Sequence, residues 1–315
     1  MGIFRERNRN GRLRPILKES EGPRLRSLKS FASSASSAVN LLIVCLLLLA
    51  GLASAGFGPP AIRDGNYPPQ HLYSEQIDAM RAPAGAPSVS ASSALMLDVD
   101  AGQTLYALRE HAALPPASTA KLMTALLVLS RVPLTDTVRV SAKAASTGGS
   151  TMGLRAGETL SVGDLLYGLL LPSGNDAAVA LAEHVSGSEA DFVVEMNRAA
   201  ANLGLKETHF ANADGEDLPG QTVSAADLLS IARSDLSYPD FARIVATQEA
   251  DVAGHHLVNT NLLLGAYPGA DGVKTGTTDQ AGECLVASVT RSGHRLLLVL
   301  LHSADRYADA RALLG

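Results

Sequence analysis

A lysine inside an apolar helix restricts this chain more than any other feature. The run Pro115-Pro116-Ala117-Ser118-Thr119-Ala120-Lys121-Leu122-Met123-Thr124-Ala125-Leu126-Leu127-Val128-Leu129 is otherwise apolar on nearly every face. A helix of that kind is normally buried, and lysine is almost never buried without a partner or a task. Desolvation there favours the neutral amine, which is a base. Residues three apart share a helix face, so the Lys121 amine can reach the Ser118 hydroxyl and take its proton. Pro115-Pro116 blocks extension upstream and places Ser118 at or near the helix N-terminus, where free N–H groups and the dipole favour developing negative charge. S-x-x-K is a short pattern, however, and needs partners.

Two follow in chain order. Ser173-Gly174-Asn175 interrupts an apolar run ending at Pro172 and precedes Asp176 to Glu183, as a tight loop between two helices would. Its bland reading is an N-cap with a turn. Lys274-Thr275-Gly276 comes third, and its bland reading is an exposed strand end. In the order S-x-x-K, S-x-N, K-T-G the three form the active-site set of serine penicillin-recognising enzymes. Separations of 55 residues from Ser118 to Ser173 and 101 from Ser173 to Lys274 leave room for a helical lobe between the first and last.

Residues 88–315 resemble the D-alanyl-D-alanine carboxypeptidases among the low-molecular-mass penicillin-binding proteins. The resemblance is carried by Pro116-Ala117-Ser118-Thr119-Ala120-Lys121-Leu122-Met123-Thr124, by Leu169 to Ala178, and by Gly269-Ala270-Asp271-Gly272-Val273-Lys274-Thr275-Gly276 with Ala281 to Leu285 after it. Ala145 to Ser150 and Arg306 to Leu314 fit as well. The resemblance implies Ser118 as the acylated nucleophile, Lys121 as its base, and Ser173, Asn175 and Lys274 as the surrounding proton and hydrogen-bond network. It also implies Thr275, joined by Arg306, on the substrate carboxylate, and the N–H groups of Ser118 and Thr277 in the oxyanion hole, beyond Gly276. An arginine opening a terminal helix is more often a surface charge, which weighs against Arg306. The implied activity is removal of the terminal D-Ala from peptidoglycan stem peptides, with β-lactams as the second class of ligand and no cofactor or metal.

One segment departs from the family pattern. Where Gly-Leu-Asp-x-Pro and a His-Tyr-Ser-Thr-like run are common, this chain reads Gly215-Glu216-Asp217-Leu218-Pro219-Gly220-Gln221-Thr222-Val223-Ser224. The departure bears on substrate preference more than on chemistry. A β-lactamase would share all three motifs, but class A enzymes add a glutamate that activates the deacylating water, in an E-x-x-L-N context this chain lacks. An endopeptidase or transpeptidase differs only in leaving group or acceptor. An inactive wall-binding module is disfavoured by intact Ser118, Lys121, Asn175 and Lys274.

Pattern alone supports an α/β fold of two lobes, an antiparallel sheet flanked by helices with an inserted helical lobe over roughly 118–240. Cys284 to Thr290 and Arg295 to Leu301 read as one hairpin, Ala94 to Val99 and Thr104 to Leu108 as another, so both ends of the domain build the sheet. Leu296 to Leu301 is continuously apolar, as a strand covered on both faces would be. Ser161, Ser188 and Ser224 mark helix starts, and Gly204 a stop. Gly272 and Gly276 flank Lys274-Thr275 without side chains, so an extended peptide could add there as an edge strand.

Charge distribution sets the compartment. Residues 1–40 carry nine Lys or Arg against three Glu, whereas the whole chain is −5, so the remainder is strongly acidic and a nucleic-acid role is excluded. Leu41 to Phe57 is apolar and uncharged, short for a span, with Ala53-Ser54-Ala55 as a possible cleavage site. Basic then apolar predicts an extracytoplasmic domain, anchored by an N-terminal segment, or secreted if cleaved after Ala55. Residues 58–87 read as a Pro/Gly-rich linker and 88–315 as the catalytic domain. Cys45 and Cys284 are predicted not to pair. The eight His residues show no metal spacing, and His255-His256 reads as a surface pair.

Overall fold

The computed structural model describes residues 85–315, together with a short antiparallel ladder of Glu6–Arg7 and Leu13–Arg14. The apolar segment 41–57 and most of the predicted linker lie outside the described residues. Among the described residues no helix is long and apolar enough to cross a membrane.

Five strands form one antiparallel sheet: β1 (Ser93–Asp98), β2 (Gln103–Leu108), β3 (Ala270–Thr278), β4 (Gly282–Arg291) and β5 (His294–Ser303). Their order is β2-β1-β5-β4-β3. Both predicted hairpins are present, and β5 pairs with β1, which joins the two ends of the domain. Side chains alternate across β5: Leu297, Val299 and Leu301 enter the main core, while Leu298 and Leu300 enter a second core with Ala310, Leu313 and Leu314 of the terminal helix. Both faces are therefore apolar, which accounts for the unbroken hydrophobic run. Strand β3 lies at the sheet edge.

Between β2 and β3 the chain is mostly helical. A 3₁₀ turn, Ala117–Ala120, leads into α1 (Lys121–Arg131), followed by α2 (Val162–Leu170), α3 (Asn175–Ser186), α4 (Glu189–Asn202), α5 (Ala225–Leu236) and α6 (Pro239–Val245); α7 (Arg306–Leu314) ends the chain. The three serines predicted as caps all cap: Ser161, Ser188 and Ser224 accept from the N–H groups of Asp164, Asp191 and Asp227. Helix α5 falls within the expected insert, but it packs on the sheet as well as on α1.

The histidine pair is corrected. His256 is exposed, but the His255 side chain is only 10% exposed, with Nε2 2.8 Å from Glu158 Oε1 and Nδ1 3.0 Å from the Met152 carbonyl. Those partners lie about a hundred residues upstream, out of reach of a local reading.

Candidate active site

The nucleophile candidate stands on a turn that cannot move freely. Ser118 lies in the 3₁₀ turn that runs directly into α1, near the helix N-terminus as the sequence suggested; the preceding Ala117 has φ 47°, in the left-handed region. Two glycines let other segments close on that turn. A Cβ at Gly215 (φ 89°) would sit 2.0 Å from the Ala117 carbonyl oxygen, and one at Gly276 would sit 3.0 Å from the Ser118 nitrogen. The K-T-G strand thus lies directly against the Ser118 backbone, because residue 276 has no side chain.

Lys121 is fully buried and points at the same place. Its Nζ lies 2.9 Å from Ser118 Oγ, 2.7 Å from Asn175 Oδ1 and 2.5 Å from the Asp214 carbonyl oxygen. An amide oxygen and a peptide carbonyl can only accept. A neutral amine spends its two hydrogens on those acceptors, and its lone pair is left facing the one partner able to donate, the Ser118 hydroxyl. Burial pulls the Lys121 pKa down to about 8, against an upward pull from Asp214, Glu216 and Asp176. About a tenth of the amine is then unprotonated at pH 7, far more than for an ordinary lysine.

Asn175 and Ser173 arrive from the turn between α2 and α3. Ser173 takes φ 67°, an unusual value for a residue with a side chain, and its buried Oγ has no hydrogen-bond partner among the described residues. Asp176 ties the neighbouring loop to this helix start by accepting from the N–H groups of Met152, Gly153 and Leu154. The Asn175 amide donates to the Gly148 carbonyl and to Glu216 Oε1, which fixes its oxygen toward Lys121.

The third motif is buried, contrary to an exposed strand end. Lys274 is fully buried and donates to the Thr275 carbonyl oxygen at 2.9 Å. Desolvation first, then Lys121 and Arg306, hold its pKa well below the ordinary lysine value. Thr275 Oγ1 lies 2.6 Å from Thr260 Oγ1. Arg306 is 7% exposed, not a surface charge: it donates to the carbonyls of Gly276 and Cys284, to Glu283 Oε2 and to Thr277 Oγ1. Its guanidinium holds the Glu283 carboxyl below the usual range. Ser118, Ser173, Thr275, Thr277, Arg306 and Tyr307 line one cleft. Six of the nine predicted site residues line it, with Lys121 and Asn175 bonded behind Ser118 and Lys274 buried next to Thr275; no direct bond joins Ser173 to Lys274. The residues not picked out by sequence are Thr260, Tyr307, Asp214 and Glu216; Tyr307 lies in the terminal stretch that carries the resemblance and Glu216 in the departing segment, whereas Thr260 and Asp214 carried no signal.

The D-alanyl-D-alanine carboxypeptidase family model matches residues 80–305, which spans both lobes and all three motifs. The chain belongs to this family. It is 41% identical over 220 residues to D-alanyl-D-alanine carboxypeptidase DacF of Bacillus subtilis, covering 67% of this chain and 57% of that one. Against DacB2 of Mycobacterium tuberculosis the identity is 37% over 234 residues, covering 71% and 80%. The chain thus spans little more than half of one family relative and most of another. The family fold is also seen in the Streptomyces K15 DD-transpeptidase, with a TM-score of 0.68 at 33% identity, covering 72% of this chain and 97% of that one. Penicillin binding protein 6B from Escherichia coli gives 0.68 at 37%, covering 72% and 77%.

Proposed function

We propose that the protein is a serine-type D-Ala-D-Ala carboxypeptidase that removes the terminal D-Ala from peptidoglycan pentapeptide stems through an acyl-enzyme on Ser118. The observation that carries this reading is the Lys121 amine held between two obligate acceptors and one hydroxyl. Lys121 takes the Ser118 proton as Oγ attacks the penultimate carbonyl. Charge developing on that carbonyl oxygen is met by the N–H groups of Ser118 and Thr277. The proton passes through the Ser173, Asn175 and Lys274 neighbourhood to the departing D-Ala amine, and water then releases the shortened peptide. Arg306 supplies a positive field for the substrate carboxylate, and Lys274 and Thr275 supply hydrogen-bond donors. The acyl donor adds along the free edge of β3.

The domain is proposed to work outside the cytoplasm, attached through the apolar segment at 41–57, with β-lactams as acylating inhibitors. The basic leader followed by an apolar stretch supports this placement. Transfer to an amine acceptor is a second reading, favoured by the likeness to a protein named a DD-transpeptidase. Incubation with a peptide ending in D-Ala-D-Ala, with and without an added amine, is expected to give free D-Ala and the shortened peptide by mass. Ser118→Ala is expected to abolish product formation and penicillin labelling; labelling that persists in this variant sinks the assignment.

A further inference from the structure

The departing segment places an extra acid against Asn175, in the hydrogen-bond network behind the nucleophile. Glu216 follows Gly215, whose backbone packs on the Ser118 turn so tightly that a Cβ there would sit 3.0 Å from the Ser118 Cα. One oxygen, Oε1, accepts from Asn175 Nδ2 at 2.8 Å. Gly149 makes space for that pair: a Cβ at this position would lie 2.5 Å from Asn175 Nδ2 and 2.7 Å from Glu216 Oε1. Among the described residues, the other oxygen accepts no hydrogen bond and the carboxylate makes no ion pair, while the residue itself is solvent-exposed. A carboxylate anchored through one oxygen and open to water through the other, three hydrogen bonds from Ser118 Oγ by way of Asn175 and Lys121, is arranged as a base for water.

We propose that Glu216 is a further catalytic residue, the general base for the water that hydrolyses the acyl-enzyme; this rests on the Ser118 acyl-enzyme proposed above. Glu216 takes one proton from water as its oxygen bonds to the acyl carbon, and the carbonyl electron pair moves onto oxygen. Collapse of that intermediate breaks the bond to Ser118 Oγ, which regains a proton from Glu216 or Lys121. The product is a free carboxylic acid and an intact serine. Lys121, in contact with Ser118 and facing Asp214, Asp176 and Lys274 as well as Glu216, serves the acylation step.

The test separates the two steps in the full chain. Acylation by a fluorescent penicillin is followed by stopped flow, and decay of the labelled protein by intact mass, for the unaltered protein, Glu216→Gln, Glu216→Leu and Glu216→Asp. Decay is expected to slow about tenfold or more in the Gln and Leu variants, with partial recovery in Asp, while acylation changes by a clearly smaller factor in Glu216→Gln, which can still accept from Asn175. Unchanged decay or equal loss in both steps overturns the assignment. Failure of the unaltered protein to be labelled at Ser118 overturns instead the reading beneath it.

Discussion

At the scale of single residues, Lys121 shows how burial becomes reactivity. The group has an ordinary value of 10.5, lowered by desolvation to about 8. The neutral amine is the reactive form, so acylation is expected to rise with pH up to about 8 and then level; a penicillin acylation series between pH 5 and 9 checks this. The same shift acts on stability with the opposite protonation bias. Between about 8 and 10.5 the unfolded chain binds the additional proton, so this group's contribution to stability grows as pH rises through that window. Lys121→Arg keeps a positive charge but cannot lose its proton, and should acylate at least about a hundredfold more slowly while staying folded by circular dichroism. Near-normal acylation there would remove Lys121 from the base role.

At the scale of elements, the K-T-G strand works because it can touch the nucleophile turn. Gly276→Ala puts a methyl 2.9 Å from the Ala117 Cβ and 3.1 Å from the Thr119 nitrogen, so β3 and the turn must separate. Acylation should fall about tenfold or more with only a modest drop in melting temperature, since the ladder to β4 on the far side of the strand can hold; unaltered kinetics would show the contact to be dispensable. Helix α5 holds a different liability. Asp235 is fully buried with neither carboxylate oxygen hydrogen-bonded among the described residues, and burial raises its pKa well above 3.8. Here the folded form retains the proton that the unfolded form loses, so stability falls as pH rises from about 3.8 toward the raised value. Asp235→Asn removes that cost and is expected to stabilise the protein by about 1–3 kcal/mol at pH 8, and by less at pH 4, in urea melts. A variant less stable at pH 8 would mean that the carboxylate has a partner.

At the scale of the whole molecule, closure of the domain depends on Asp309 in α7. Its carboxylate accepts from the N–H and hydroxyl of Ser90, the N–H of Ala91 and the hydroxyl of Ser303, tying the entry of the first strand to the last helix. Burial opposes ionisation, but these hydrogen bonds outweigh it and hold the Asp309 pKa below 3.8. The resulting stability is present above pH 3.8 and is lost as pH falls through the lower folded value. Asp309→Asn should cost about 1–3 kcal/mol at pH 7 and much less near pH 3, and a chain shortened to begin at Ser92 should lose a similar amount. Melting profiles at the two pH values decide it, and an equal loss at both would rule out the charge.

The sequence determined the periodic and covalent part of this protein: strand pairs, helix caps, the apolar β5 and the order of the three motifs. Apolar spacing and capping are local, so they can be read without coordinates, as Ser161, Ser188 and Ser224 illustrate. The resemblance named the site residues, and the fold brings all of them to one cleft. What only tertiary structure decided is how distant side chains share atoms. Arg306 is buried because acceptors on β3 and β4 surround it, and His255 because Glu158 and Met152 reach it through the fold. Glu216 lies beside Asn175 only because glycines at 149 and 215 admit the approach. Local patterns record which face of an element avoids water, whereas the protonation of a buried amine depends on every charge and carbonyl packed around it in three dimensions.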